Sequence, residues 1–137
     1  MGRRVVLLAA AFLSGCGSGG ATTTKRPCTL ATCTSGASLT AAALPPGAAS
    51  VELCVGARCT RSPVTGTPFA MEIVLRDLDD SSPRTVVARV LDGKGGTLTE
   101  SSLRRRPVRI QPNGPGCRPT CYRIATRLTR DGRLLPA

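Results

Sequence analysis

At 137 residues the chain is the size of one domain, and with 2% aromatics its core has to be built from small aliphatic side chains. The formal charge is +11, almost all of it from arginine, and there is no histidine. That removes the commonest general base and metal ligand, so triad hydrolysis and zinc sites with histidine are poorly supplied.

The N-terminus reads as an export signal. A short basic start, Met1 to Arg4, precedes an apolar run from Val5 to Leu13. This run is too short to span a bilayer, which takes about 20 apolar residues, but it suits the hydrophobic region of a signal peptide. Leu13-Ser14-Gly15-Cys16 follows. These four residues resemble the lipobox of bacterial lipoproteins: Leu, a small residue, Gly or Ala, then Cys. The resemblance implies that the sulfur of Cys16 receives a diacylglyceryl group, that a signal peptidase cuts before it, and that the new amine is open to acylation. Residues 1–15 are then the signal peptide and 16–27 the lipidated cysteine with its spacer. A secreted protein without a lipid anchor is the alternative.

The spacer, Gly-Ser-Gly-Gly-Ala-Thr-Thr-Thr-Lys-Arg-Pro, has no apolar periodicity and reads as flexible. Losing Arg3 and Arg4 with the leader leaves the mature chain at about +9. In a Gram-negative host the Gly17 at +2 favours the outer membrane, by resemblance to known sorting patterns.

Residues 28–137 read as an all-β domain. Strands are expected at Ser38–Leu44, Ser50–Val55, Arg58–Thr60, Phe69–Leu75, Arg84–Leu91, Thr97–Ser101, Val108–Gln111 and Tyr122–Thr129. They are separated by Gly/Pro/Asp turns such as Pro45-Pro46-Gly47 and Asp92-Gly93. In the last of these strands Tyr122, Ile124, Thr126 and Leu128 share one face. Short strands at even spacing with no sustained helical period suggest a β-sandwich stapled by disulfides. The pattern resembles small Ig-like or fibronectin-like domains of bacterial surface proteins, although the chain has no Trp.

With Cys16 lipidated, six cysteines remain: Cys28, Cys33, Cys54, Cys59, Cys117 and Cys121. An even number in an exported domain reads as a disulfide framework. A Gly56-Ala57 turn of type II′ sets Cys54 opposite Cys59 as a non-hydrogen-bonded pair, within bridging reach. Local pairing of all three sets leads. Its rival ties Cys28 and Cys33 to Cys117 and Cys121.

Neither a metal site nor a cofactor is expected, because the cysteine spacings suit neither zinc nor thiol exchange. No catalytic constellation emerges either. The acids fall mostly on turns, and Asp79-Asp80 reads as a solvated turn rather than a cation site. An envelope enzyme, or an accessory subunit of one, is the alternative, with Glu72 and Asp92 as the acids that would have to converge in a pocket.

Arginine crowds the C-terminal third. Arg104, Arg105, Arg106, Arg109, Arg123 and Arg127 are candidate contacts for an anionic lipid surface or envelope polymer. A solvated arginine-rich surface is the simpler and favoured reading. Nucleic acid is a poor candidate, since export removes that partner and stacking aromatics are missing. The sequence therefore points to a lipid-anchored, extracytoplasmic, non-catalytic module that binds or scaffolds in the envelope. Its protein partner is unnamed.

Overall fold

The computed structural model describes residues 27–137; the leader, the lipobox and the spacer up to residue 26 lie outside the described residues. Nine strands and no helix occur among the described residues. In chain order they are β1 (Gly36–Ala41), β2 (Ser50–Val55), β3 (Arg58–Pro63), β4 (Phe69–Val74), β5 (Arg84–Leu91), β6 (Thr97–Arg105), β7 (Val108–Ile110), β8 (Cys121–Leu128) and β9 (Leu134–Pro136).

The strands make two sheets. One has the order β4-β1-β8-β7, with β9 on β8; the other is β3-β2-β5-β6. All pairings are antiparallel except that of β1 with β8, where Leu39 lies beside Thr126. The chain passes between sheets after β1, β3, β4 and β6, so the two layers are interleaved along the sequence.

Strict alternation explains why the sheets share one core. Leu39, Ile73 and Ile124 come from the first sheet; Val51, Leu53, Val86 and Val90 come from the second. Their neighbours along each strand point outward, because successive side chains leave opposite faces. Cross-strand partners therefore stack valine on valine, as with Val51 and Val90. The only aromatic among the buried core residues of the described chain is Phe69, so many small aliphatic contacts replace a few large ones. Thr126 is the one polar residue buried as a whole among the described residues, and its hydroxyl donates to the Ser38 carbonyl at 2.9 Å. That bond satisfies the group across the parallel β1–β8 seam.

Several boundaries differ from expectation. β1 begins at Gly36 and ends at Ala41, not Leu44. A side chain at Gly36 would collide with the Ile73 carbonyl, its ideal Cβ lying 2.2 Å from that oxygen, so close packing of β4 accounts for the glycine. β3 runs on to Pro63 and β6 to Arg105, both beyond the expected ends. They are outer strands of their sheet, and their polar sequences give little apolar signal. β9 is an additional strand. The turn at Asp131-Gly132 folds Leu134–Pro136 back on Leu128–Thr126.

Three disulfides close the domain: Cys28–Cys117, Cys33–Cys121 and Cys54–Cys59. The expected local bridges Cys28–Cys33 and Cys117–Cys121 do not form. The reason is topological: the parallel pairing of β1 with β8 brings the segment before β1 alongside the start of β8. Cys54 and Cys59 stand opposite each other in the β2–β3 register, with Cα atoms 4.0 Å apart. Gly56, with φ at 58°, opens the turn beside them. Three disulfides suggest an oxidising, extracytoplasmic environment.

Candidate functional site

The segment from Pro27 to Ser35 belongs to no strand and is held from the outside. Besides its two disulfides it is gripped by Asn113. That side chain accepts from the Thr29 hydroxyl and from the Ala31 N–H at 2.9 Å, and donates to the Ala31 carbonyl at 2.9 Å. It also donates to the Arg118 carbonyl at 2.6 Å. The Ser35 hydroxyl accepts the Tyr122 N–H at 3.0 Å. One asparagine thus joins the entry of the domain to the β7–β8 loop.

Beside this junction lies a cleft of about 790 Å³. Arg76, Leu78 and Asp79 reach it from the β4–β5 loop, Arg109 and Gln111 from β7 and its end, and Arg118 and Thr120 from the β7–β8 loop. Tyr122, the only tyrosine of the chain, stands directly across from Arg109 in the β7–β8 register. The Gln111 amide donates to the Thr120 hydroxyl at 3.4 Å. Among the described residues, Arg76, Arg109 and Arg118 form no ion pair. Asp79 is the single acid on the lining.

The remaining candidate arginines do not form one continuous basic face. Arg123 and Arg127 share the outer face of β8, but Arg123 pairs with Glu72 at 2.7 Å and Arg127 donates to the Pro136 carbonyl at 3.3 Å. Arg104 stands opposite Thr85, on the outer face of the other sheet. Arg105 faces Arg84 across the β5–β6 edge, and Arg106 follows β6 as an exposed residue. Only Arg109 joins the cleft. Sequence reasoning counted Arg118 only among the arginines of the C-terminal third and gave Arg76 no role, because Arg76 comes from a loop far from Arg109 in the chain.

The acids are largely committed to other partners. The outer face of the β3-β2-β5-β6 sheet carries Arg61, Glu52, Arg89 and Glu100, each opposite the next in register. Arg61–Glu52 is 3.1 Å, Glu52–Arg89 2.9 Å and Arg89–Glu100 2.5 Å. Hydrogen bonds from Arg89 and then Arg61 hold the Glu52 carboxyl below the usual carboxylate range. Glu100 first, then Glu52, keep Arg89 more firmly protonated than a free guanidinium. This alternation of signs is a structural tie across four strands.

Glu72 lies on β4, whereas Asp92 lies in the β5–β6 turn at the end of the other sheet. Glu72 is tied to Arg123, whereas Asp92 accepts the Lys94 and Gly96 N–H groups at 2.8 and 2.7 Å and closes its own turn. Asp80 likewise accepts the Ser82 N–H at 2.8 Å, which with the Ser82 hydroxyl and the nearby Arg84 holds its carboxyl low. Glu52, Cys54 and Cys59 cluster closely enough to suit a metal, but both sulfurs are bonded to each other and offer no thiolate. No helix among the described residues is long and apolar enough to cross a membrane.

No family model matches this chain, and no curated protein or solved structure matches it either.

Proposed function

We propose that this protein is an extracytoplasmic lipoprotein, anchored through diacylglyceryl Cys16, whose β-sandwich is a non-catalytic binding module of the bacterial envelope. The Ig-like or fibronectin-like reading of the fold belongs to the same proposal. It is supported by two largely antiparallel sheets facing each other across one aliphatic core.

The observation that carries the reading is the position of the two long bridges. Cys28 and Cys33 follow directly on the spacer, and each is bonded to the region at the start of β8. A domain hung from a lipid takes any pull on its tether at residue 27. Here that pull passes through Cys28–Cys117 into the body of the domain, rather than peeling β1 from its neighbours. Two acyl chains give stable anchoring where one does not.

Metabolic labelling of the native host with an alkyne-bearing fatty acid tests the anchor. The wild-type protein is expected to take up label and Cys16→Ala to lose it; an unlabelled wild-type protein overturns the reading.

A further inference from the structure

We infer that the cleft between the β4–β5 and β7–β8 loops binds a phosphate-bearing group, with Arg76, Arg109 and Arg118 holding its oxygens. This rests on the binding-module reading and adds the class of ligand.

Three observations carry it. The first is convergence: Arg76 from the β4–β5 loop meets Arg109 and Arg118, from β7 and the loop that follows it, on one concavity, and none of the three forms an ion pair among the described residues. Against the single Asp79 they leave a surplus of two positive charges. A phosphate monoester, which carries about −1.5 to −2 at pH 7, matches that surplus better than a single carboxylate does. Arginine forks also fit phosphate oxygens in pairs.

The second is rigidity. The wall that carries Arg118 is fixed on one side by the Cys28–Cys117 bridge and on the other by Asn113 donating to the Arg118 carbonyl. A wall already in place lowers the ordering cost of binding. Thr120, Gln111 and Tyr122 add neutral hydrogen-bonding groups at the same site.

The third is location. Gly116 and Cys117 line this cleft and also the surface around Pro27, Cys28 and Thr29. The cleft therefore opens beside the point where the spacer enters the domain. Both a membrane phosphomonoester headgroup and a soluble phosphate offer the same chemistry there.

The test is nitrogen-15 NMR of the full chain, isolated from membranes in a zwitterionic detergent, with ionic strength held constant by sodium chloride. Inorganic phosphate is titrated in one arm and phosphatidic acid in mixed micelles in the other. Saturable shifts at the Thr120 and Tyr122 amides and the Arg109 and Arg118 side chains are expected in at least one arm. A response to the lipid alone identifies a headgroup site, and one to inorganic phosphate alone a soluble ligand. Arg109→Gln and Arg118→Gln should each weaken apparent affinity about tenfold, the loss of one charge-assisted contact, while Arg127→Gln leaves it unchanged. No saturable shift in either arm, or equal shifts in all three variants, overturns the inference. Failure of the anchor is read separately, as phosphate binding by a chain that lacks acyl mass.

Discussion

Glu52 and Arg89 face each other across β2 and β5 in exact register, with their side chains 2.9 Å apart and Arg61 closing on the same carboxylate from β3. Glu52 keeps only 18% of its side-chain surface exposed, so this pair is less screened than a surface ion pair. Its carboxyl is held below its ordinary value of 4.5 in the folded protein. The stabilisation is therefore present above the unfolded value and is lost as pH falls through the lower, folded one. Glu52→Gln should cost about 1–2 kcal/mol at pH 7. The difference from wild type should be smaller at acid pH than at pH 7, because the wild-type carboxyl loses its charge as pH falls through its lowered folded value. Urea melts at both pH values check this; a difference independent of pH contradicts it.

The two long disulfides should be coupled. Either alone closes a loop, with sequence separations of 89 and 88, which constrains the unfolded chain by about 4.5 kcal/mol. Once one is present, the second closes only the small ring formed by residues 28–33 and 117–121. That is roughly 10 residues, worth about 3 kcal/mol. Replacing either cysteine pair by serine should thus cost about 3 kcal/mol, and replacing both about 7 to 8, more than the sum of the two. Guanidinium unfolding of the four proteins in the cycle measures the coupling, and strict additivity contradicts it.

Thr99 presents a small defect. Its hydroxyl is buried with no hydrogen-bond partner among the described residues, and it packs against Gly132 in the β8–β9 turn. Thr99→Val removes the unsatisfied group while keeping a β-branched side chain on β6, and should stabilise by about 1 kcal/mol. Gly132→Ala should do the reverse by about 2 kcal/mol or more. Gly132 has φ at 81°, and an added Cβ would overlap the Thr99 side chain. Thermal melts of the two variants should move in opposite directions.

Local chemistry was legible in the sequence and long-range topology was not. The β2–β3 hairpin follows from Gly56 beside two runs of extended residues, and the β5–β6 hairpin from the Asp92 turn, because each is decided within a few residues. The alternation of Ile124, Thr126 and Leu128 foretold which face of β8 is buried. No local signal reports that β1 lies parallel to β8, and the long disulfides follow from that pairing alone. The cleft was hidden for the same reason. Arg76 reads as an ordinary loop charge, and Arg118 as one of the many C-terminal arginines, until the fold sets both beside Arg109 in one cleft. β9 escaped because three residues after a turn are too few to show alternation.

Anchoring and disulfide closure are read together from the intact mass of protein extracted from native membranes, before and after reduction. The expected species begins at Cys16, carries the mass of two or three acyl groups, and gains about 6 Da on reduction, two hydrogens for each bridge. A retained leader, or an unacylated chain recovered from the medium, overturns the anchor.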